Sequence, residues 1–500
     1  MQLRLLCAFV TLTFALPCLA QSDVDTLRQQ IAAQQKQIED LQRTLEAQQK
    51  MLQQLTAAQP AAPAAAEAAP EAKPAEGAKV SSPLSFKIGD AEFTPLGFMD
   101  LTSVWRSTTI GSGIGTSFNG APYSNTTAGA LPENRLSAQN SRVGLKVTST
   151  VLGMPVTGYL ETDFLGVQPA NPYVTSNANS LRIRLYWADV KRGDWEVLGG
   201  QSWSMMTPGR TGISPNPSDL FYSQDMDTNY QVGLTWTRAP QFRLLYHPNK
   251  QFTAGISLEN PEQYIGATTV VPSLVGTQLD NNATTATPNT HPDIQAKIAY
   301  DAMYCNRQVF HIEAGGVFST FRIARADLSK STIHGAGGEL NAIAEPVKNY
   351  RLIVTSFWSS GEGRYIGNTA TPDVVVRANG NLSPVHSGSG IGGFEAQVDP
   401  KLMLYGYYSA VYIQKNWGFP ASGSGLLGYG FPGSSTSHNR VIEEGTVGFT
   451  YSFWKNPKYG ALQWINQYSY LYRAPWNPPS TGPLNAHSHM VFTDLRYVLP

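Results

Sequence analysis

The segment SLRIRLYWADVK, residues 180–191, alternates two kinds of side chain with the period of a β-strand. One face carries Leu181, Ile183, Leu185 and Trp187, and the other carries Arg182, Arg184, Tyr186 and Ala188. Charges that alternate with large apolar groups suit a wall with lipid on one side and water on the other. A soluble β-sandwich alternates in the same way, so the links between such segments must decide between the two folds.

The region 86–500 repeats this alternation in sixteen segments. The predicted strands lie near residues 94–106, 139–150, 155–166, 180–191, 194–203, 232–246, 251–259, 293–303, 308–320, 334–345, 349–360, 390–399, 401–413, 440–454, 460–473 and 489–499. Short links, such as 192–193, alternate with long links, such as 107–138 and 204–231. An even strand number with short turns at one end is typical of an outer-membrane β-barrel, and it places both termini on the periplasmic side.

One predicted strand, near residues 232–246, fits this pattern poorly. It contains Pro240, which cannot donate a hydrogen bond to a neighbouring strand. The same register directs Arg238 outward. The sequence therefore predicts the strand count to within about two.

Residues 1–20 have the form of a secretory signal peptide. Arg4 supplies the positive charge, Leu5–Leu16 the apolar core, and Cys18-Leu19-Ala20 the small residues before cleavage at Gln21. The apolar run is shorter than the roughly 20 residues that a transmembrane helix needs. The sequence therefore predicts an exported protein.

Residues 22–57 carry an unbroken heptad repeat. The repeated positions are Val24, Leu27, Ile31, Gln34, Ile38, Leu41, Leu45, Gln48, Leu52 and Leu55. A single helix would leave this stripe in water, so the segment predicts a self-associating coiled coil in which the two glutamines fix the register. A lone amphipathic helix docked on the rest of the chain is the alternative. Residues 58–85 are rich in Ala and Pro and predict a semi-extended linker to the barrel, 86–500.

The composition excludes several classes of function. The chain has 36 basic and 36 acidic residues, and loss of Arg4 with residues 1–20 leaves 35 against 36, a net charge of −1. Nucleic-acid binding needs a concentrated basic face, which such a balance does not indicate. Cys305 is the only cysteine after residue 20, so no cysteine cluster predicts a metal site. No catalytic motif stands out among the eight histidines, and we expect neither an enzyme nor a cofactor.

Seven segments of the predicted barrel resemble a known family. They are PLGFMDL, NSRVGLKV, GYLETDF, LRIRLYWADV, VLGGQSWS, RAPQFRLLY and SLENPE, in this order after the signal peptide and the Gln-rich coiled coil. The chain is similar to the DcaP-like trimeric porins of the Gram-negative outer membrane, densely over residues 94–262 and loosely beyond. The chain departs from many bacterial barrels in ending Tyr497-Val498-Leu499-Pro500, without a terminal Phe.

The resemblance implies a homotrimer, held by the coiled coil and by the barrel walls, in contact with outer-membrane lipid. It also implies a coiled coil in the periplasm and diffusion of small solutes, preferentially anions such as dicarboxylates. The prediction is therefore an outer-membrane porin with no nucleic-acid partner.

Alternation places a group of charged side chains on the water-filled side of three successive predicted strands. The group is Arg142, Lys146, Glu161, Asp163, Arg182 and Arg184, four positive charges against two negative. Counting from the outer strand ends puts Arg142, Asp163 and Arg182 at similar heights. An arginine ladder that attracts carboxylates and a salt-bridge network that stiffens the wall both fit this pattern. Arg135, at the inner edge of the first long loop, and Arg243, on the sixth predicted strand, are weaker additions to the predicted pore lining.

The long link after the fifth predicted strand is the candidate constriction loop. Its Met205, Met206, Phe221 and Tyr222 can pack inside a channel, and Arg210 is expected opposite Asp219, Asp225 and Asp227. An ordinary surface loop is the alternative, and the family resemblance favours the constriction.

Two other functions remain open at this stage. A sugar-selective porin is one, since Tyr159, Tyr186 and Trp203 could form a stacking track for sugar rings. A secreted β-rich adhesin or binding protein with a coiled-coil stalk is the other.

Overall fold

The computed structural model describes residues 82–166, 179–261, 290–305, 307–325, 327–377, 379–419 and 426–500, with Lys36 and Arg43. Both Lys36 and Arg43 are helical and exposed. The predicted signal peptide, the rest of the predicted coiled coil and the linker up to residue 81 lie outside the described residues.

Strands make up nearly all the regular structure of this part of the chain. They are β1 (Phe86–Ile88), β2 (Ala91–Arg106), β3 (Glu133–Ser137), β4 (Arg142–Val151), β5 (Met154–Asp163), β6 (Arg182–Arg192), β7 (Trp195–Trp203), β8 (Arg238–Tyr246), β9 (Phe252–Glu259), β10 (Asp293–Tyr304), β11 (Arg307–Ala324), β12 (Lys330–Val347), β13 (Tyr350–Ser360), β14 (Val374–Val376), β15 (Leu382–Pro384), β16 (His386–Gln397), β17 (Leu402–Ile413), β18 (Asn416–Gly418), β19 (Leu427–Tyr429), β20 (Asn439–Asn456), β21 (Gly460–Pro475) and β22 (Ala486–Val498). The helical elements are α1 (Thr127–Ala130) and the 3₁₀ turns Phe118–Gly120, Pro217–Asp219, Phe221–Gln224 and Gly363–Tyr365. Among the described residues, no helix has the length and apolarity needed to cross a lipid bilayer.

Eighteen of these strands form one antiparallel sheet that closes on itself. The last strand, β22, pairs with β2 from Phe98 opposite Val498 to Arg106 opposite Met490. Along its other edge, β2 pairs with β3 near its C-terminal end and with β4 near its N-terminal end. β1 adds a three-residue ladder to β2. With β3 and β4 counted as one and β1 set aside, the described barrel has sixteen strands. The predicted antiparallel β-barrel and its strand count are confirmed.

Short and long links occupy opposite ends of the barrel, which we call the turn end and the loop end. The turn between β4 and β5 is residues 152–153, whereas β7 and β8 are joined by residues 204–237. The link between β11 and β12 at the loop end is also short, 325–329, because both strands extend beyond their predicted limits. The hairpins β14–β15 and β18–β19 lie within two of the long loops.

A β-bulge in β6 reverses part of the predicted alternation. Glu161 of β5 pairs with Leu185 and Thr162 pairs with Ile183, so Arg184 is an extra residue. Beyond the bulge Tyr186 faces outward and is 65% exposed. The sequence-based assignment of Tyr186 to the arginine face was wrong, because one inserted residue exchanges the two faces of a strand.

The strand with the proline begins later than predicted. β8 starts at Arg238, so Pro240 is only the third residue of the strand. Its side chain faces the outside, and it pairs with Gln201 of β7. The prediction that the side chain of Arg238 points outward was wrong. Its guanidinium lies over the ring of Trp203, 5.3 Å from the ring centre, and over Trp236 at 5.8 Å. A cation on an aromatic face is stabilised by the ring's electron density, which draws this side chain toward the interior.

We expect Cys305 to reveal which end of the barrel faces the periplasm. It lies exposed in the turn between β10 and β11, at the turn end. A membrane-impermeant maleimide added to intact cells should leave Cys305 unlabelled, and should label it once the outer membrane is permeabilised.

The control is a Leu328→Cys, Cys305→Ser chain, which moves the thiol to the exposed link between β11 and β12 at the loop end. This variant should be labelled in intact cells. The opposite labelling pattern would invert the predicted orientation.

Candidate functional site

The long segment 204–237, which we call the inner loop, lies within the barrel. Near its start, the amide of Gly209 donates to Glu313 of β11 at 3.1 Å. Near its end, the amide of Val232 donates to Glu444 of β20 at 2.9 Å. These two contacts lie on different parts of the wall, so the loop extends across the interior rather than over the rim.

Apolar packing holds the inner loop in place. Its buried apolar side chains include Met205, Met206, Leu220, Phe221 and Leu234. Phe221 meets Tyr407 of β17 edge-on, with 5.6 Å between ring centres. The predicted packing of Met205, Met206 and Phe221 is confirmed, whereas the side chain of Tyr222 lies outside the described residues.

Arg210 is the one basic residue of the inner loop, residues 204–237, and it lies near the start of the loop. Its Nη1 and Nη2 contact the two carboxylate oxygens of Glu395 on β16 at 2.8 and 2.6 Å. Arg210 lies opposite Asp219 as predicted, since its amide donates to the carbonyl of Asp219 at 2.6 Å. Its guanidinium, however, pairs with Glu395 and not with Asp225 or Asp227. Nothing local in the sequence indicates Glu395 as the partner, because 185 residues separate the two positions.

The acidic residues of the inner loop bind polar groups around them instead. Asp225 accepts a hydrogen bond from Gln467 of β21 at 3.0 Å, and Asp227 accepts one from the amide of Thr116 at 3.0 Å. Burial raises the pKa of Asp225 well above its usual range, and neighbouring Asp227 adds to this rise. These carboxyl groups fasten the loop to the wall and to the first long loop.

The predicted charged group on β4, β5 and β6 is assembled as a connected cluster. Arg182 contacts Asp163 through Nη2 at 2.7 Å, and Arg184 contacts Glu161 through Nε at 2.6 Å. Arg142 lies 3.6 Å from Glu161. The predicted heights are confirmed, since Arg142 and Arg182 lie on either side of Asp163 in register.

The two neighbouring arginines of this cluster have different surroundings. Arg184 is fully buried, bridges both carboxylates and donates to the hydroxyl of Tyr230 in the inner loop at 2.9 Å. Arg182 keeps 37% of its side chain exposed. Lys146 lies on the same face of β4, four residues after Arg142. It is half-buried and makes no ion pair among the described residues. Water and solutes therefore meet Arg182, Arg142 and Lys146 before Arg184.

The two additional arginines lie apart from this cluster. Arg243 points inward from β8 but is buried, with Nη2 donating to Gln241 and to the carbonyl of Trp203, each at 2.8 Å. It braces the wall, which corrects its predicted place in the pore lining. Arg135 lies on β3 at the loop end, exposed and paired with Glu133 at 3.3 Å.

The aromatic residues proposed as a sugar track do not form one surface. Tyr186 faces outward because of the bulge. Tyr159 stacks on Trp187 at 5.2 Å between ring centres, and Trp203 packs edge-on against Tyr230 at 6.0 Å. These interior rings are buried against one another, so their faces are already covered.

A solved outer-membrane channel shares the fold of this closed barrel. The outer membrane channel DcaP of Acinetobacter baumannii matches with a TM-score of 0.60 and 17% identity, over 83% of this chain and 99% of that chain. The chain has the fold of an outer-membrane porin.

Other structures match less well. The anion-selective porin from Comamonas acidovorans has a TM-score of 0.47 at 13% identity, over 82% of this chain and 99% of that one. OmpF of Salmonella typhi has a TM-score of 0.46 at 12% identity, over 83% of this chain and 100% of that one. No family model and no curated protein matches the sequence. The resemblance to DcaP is thus confirmed at the level of the fold.

The barrel interior contains a second charged network that the sequence analysis missed. Lys297 of β10 lies 2.9 Å from Glu313 and 2.8 Å from Glu339, and all three are buried. His311 lies 2.7 Å from Asp301 beside them. Alternation along β10 could have placed Lys297 and Asp301 on the inner face, but their partners on β11 and β12 follow only from the register of the closed sheet.

Most ion pairs that reach water inside this barrel share one asymmetry, in which the basic partner is the more exposed. The exposed side-chain fractions are 37% for Arg182 against 0% for Asp163, 17% for Arg142 against 5% for Glu161, 33% for Arg307 against 13% for Glu345, and 16% for Arg496 against 0% for Asp100. Arg106 reverses the order, being more buried than Glu133, which also pairs with exposed Arg135. The carboxylates therefore lie behind the guanidinium groups.

We expect Glu444→Ala to loosen the second half of the inner loop. The change leaves the buried amide of Val232 without its acceptor, at a cost of about 1–3 kcal/mol. Single-channel recordings should then show more frequent fluctuations of the open-channel current than the unaltered chain.

Glu443→Ala is the matched control, because Glu443 is the adjacent residue on β20 and faces the outer wall. It should leave the current noise unchanged. Equal noise in both variants would mean that the Val232–Glu444 contact does not hold the loop.

Proposed function

We propose that this chain is an outer-membrane porin for passive uptake of small hydrophilic solutes, with a preference for anions such as dicarboxylates. The porin fold supports the general function. The observation that supports the preference is the asymmetry of the interior ion pairs, whose basic partners face the water.

Exposure matters more than the number of charges. The chain is close to neutral, so its total charge predicts no selectivity. A solute in the lumen responds to the nearest unscreened charges, and the carboxylates Asp163 and Glu161 lie behind the guanidinium groups that pair with them. A guanidinium with one edge in water can bind a solute carboxylate through two hydrogen bonds. The basic side chains thus offer contacts that the buried acids do not.

We expect Arg182→Gln to lower the anion-to-cation permeability ratio by roughly two- to fourfold at 0.01 M salt. Removing a charge about 10 Å from a passing ion in water cancels ~0.4 kcal/mol of attraction for an anion, and the same repulsion of a cation. The effect should shrink at 1 M salt, where the Debye length falls to about 3 Å. Reversal potentials in salt gradients measure the ratio.

Arg322→Gln is the control, since Arg322 lies exposed on the outer face of β11. Its reversal potential should match that of the unaltered chain. Arg184→Gln should instead reduce thermal stability, because it leaves Glu161 and Asp163 without their buried partner. If Arg182→Gln leaves the ratio unchanged at low salt, the cluster stiffens the wall and does not select anions.

We propose further that the exported chain, without residues 1–20, works as a homotrimer in the outer membrane. The heptad repeat in residues 22–57 supports self-association, with the coiled coil in the periplasm.

A polar row on the outer wall of the barrel supports the same conclusion. Ser103, Thr493 and Asn466 lie side by side on β2, β22 and β21. They occur midway along the paired strands, where contact with lipid tails is unfavourable for polar groups. On β10 the outward residues Ile294, Ala296 and Ile298 are all apolar. The polar row therefore supports an interface with another subunit on this part of the wall.

We expect Thr493→Trp to weaken the trimer, because the bulky ring would separate two walls that meet at this row. The matched control is Ile298→Trp on β10, where lipid can accommodate the ring. Semi-native gel electrophoresis at increasing temperature should show the Thr493 variant dissociating at a lower temperature. Equal dissociation temperatures for both variants would place the interface elsewhere.

A further inference from the structure

A cavity of about 410 Å³ opens beneath the inner loop, toward the turn end of the barrel. Arg210 of the inner loop lines one side of it, and Arg307 and Arg351 line the wall. Arg307 is the first residue of β11 and Arg351 the second of β13, so both stand near the turn end. The volume lies within the range of about 300–1,000 Å³ that is typical of small-molecule sites. The cavity is separate from the cluster on β4, β5 and β6.

The three arginines of this cavity are joined by two carboxylates in an alternating chain. Glu345 lies 3.1 Å from Arg307 and 3.6 Å from Arg351. Glu395 lies 3.4 Å from Arg351 and 2.6 Å from Arg210. Three cations and two anions leave one positive charge in excess along this chain. Asp219 of the inner loop also lines the cavity, with its carboxylate bonded to the hydroxyl of Ser214 at 2.7 Å, and its negative charge offsets this excess on the loop side. Any anion site must therefore lie on the wall side, beside Arg307 and Arg351.

The exposed edges of the chain are basic. Arg351 and Arg307 are 40% and 33% exposed, whereas Glu345 is 13% exposed and Glu395 is buried. Arg307 contributes a single nitrogen to its contact with Glu345 among the described residues. Among the residues that the structure describes, Arg351 is held by contacts of 3.4 Å and longer. Both guanidinium groups can therefore turn donors toward an anion without losing a tight existing bond.

We propose that this cavity is a second binding site for a small carboxylate anion, held by Arg307 and Arg351 on the turn-end side of the inner loop. The proposal rests on the proposed passage of anions and adds a place where the solute pauses. Glu345 acts there as a built-in competitor, because it occupies the same two guanidinium groups that the solute carboxylate would bind. Competition of this kind keeps the binding weak enough for release, which conduction requires.

The test measures interruption of a chloride current by succinate added to one side of a planar bilayer. A cysteine at position 328, in the Cys305→Ser background, carries biotin and reports the loop-end side through streptavidin. For the unaltered cavity we expect block at lower concentrations from the turn-end side than from the loop-end side. Arg307→Gln with Arg351→Gln should weaken the turn-end block by at least about tenfold, because losing even one charge-assisted contact has an effect of that size.

Glu345→Gln is the decisive variant, because it should change the block in the opposite direction. It removes the competing charge but keeps an oxygen to accept the amide of Asn349, which now bonds Glu345 at 2.9 Å. Succinate should then block several-fold more strongly from the turn-end side. A role in wall stability alone would make both variants noisier and would not separate them in this way.

Two outcomes would overturn the proposal. One is succinate block that is equal from both sides and unaffected by the paired arginine substitutions. The other is Glu345→Gln channels that bind succinate no better than the unaltered chain, a result that stands even if the double arginine variant fails to fold. Reversal potentials in potassium chloride gradients are measured on the same channels. Anion preference with no turn-end block refutes this site alone, whereas cation preference refutes the proposed function.

Discussion

The pairing of β22 with β2 is the constraint on which the remaining structure depends. A sheet in lipid has no water to satisfy its edge N–H and C=O groups, so it must close. Closure fixes the register of every strand, and the register fixes which side chain faces the interior. The interior of this barrel consequently receives charged residues from strands far apart in the sequence, and these residues must find partners there.

The ion pairs inside the barrel are of two kinds, those in which both partners are buried and those in which the basic partner reaches water. Some pairs, such as Lys297 with Glu313, are sealed in the wall and brace the inner loop. Others place a guanidinium in front of its carboxylate, as Arg182 does with Asp163. A nearly neutral sequence can in this way present a surface of one sign to the water, because burial is distributed unequally between the partners.

The sequence alone was sufficient for the barrel, its strand number and the cluster on β4, β5 and β6. Those features depend on period-two alternation and on neighbouring strands, which short stretches of sequence record. The partner of Arg210 and the arginines at positions 307 and 351 were not predictable, since they meet residues from distant strands after closure. The inward or outward direction of Tyr186 was mispredicted for another reason, namely that Arg184 gave no sign of being an inserted residue.

The bulge at Arg184 changes which residues of β6 face the interior of the barrel. From Leu185 to the end of the strand, the inward side chains fall on odd-numbered residues, whereas Arg182 and Arg184 before them are even-numbered. Deleting Arg184 would restore regular pairing, because Ile183 and Leu185 already oppose consecutive residues of β5, and Tyr186 and Trp187 would keep their present faces. The bulge therefore adds one inward side chain to β6 without shifting the pairing of the rest of the strand. A barrel that lacks this one residue should still close, but it would lose the buried guanidinium that bridges Glu161 and Asp163.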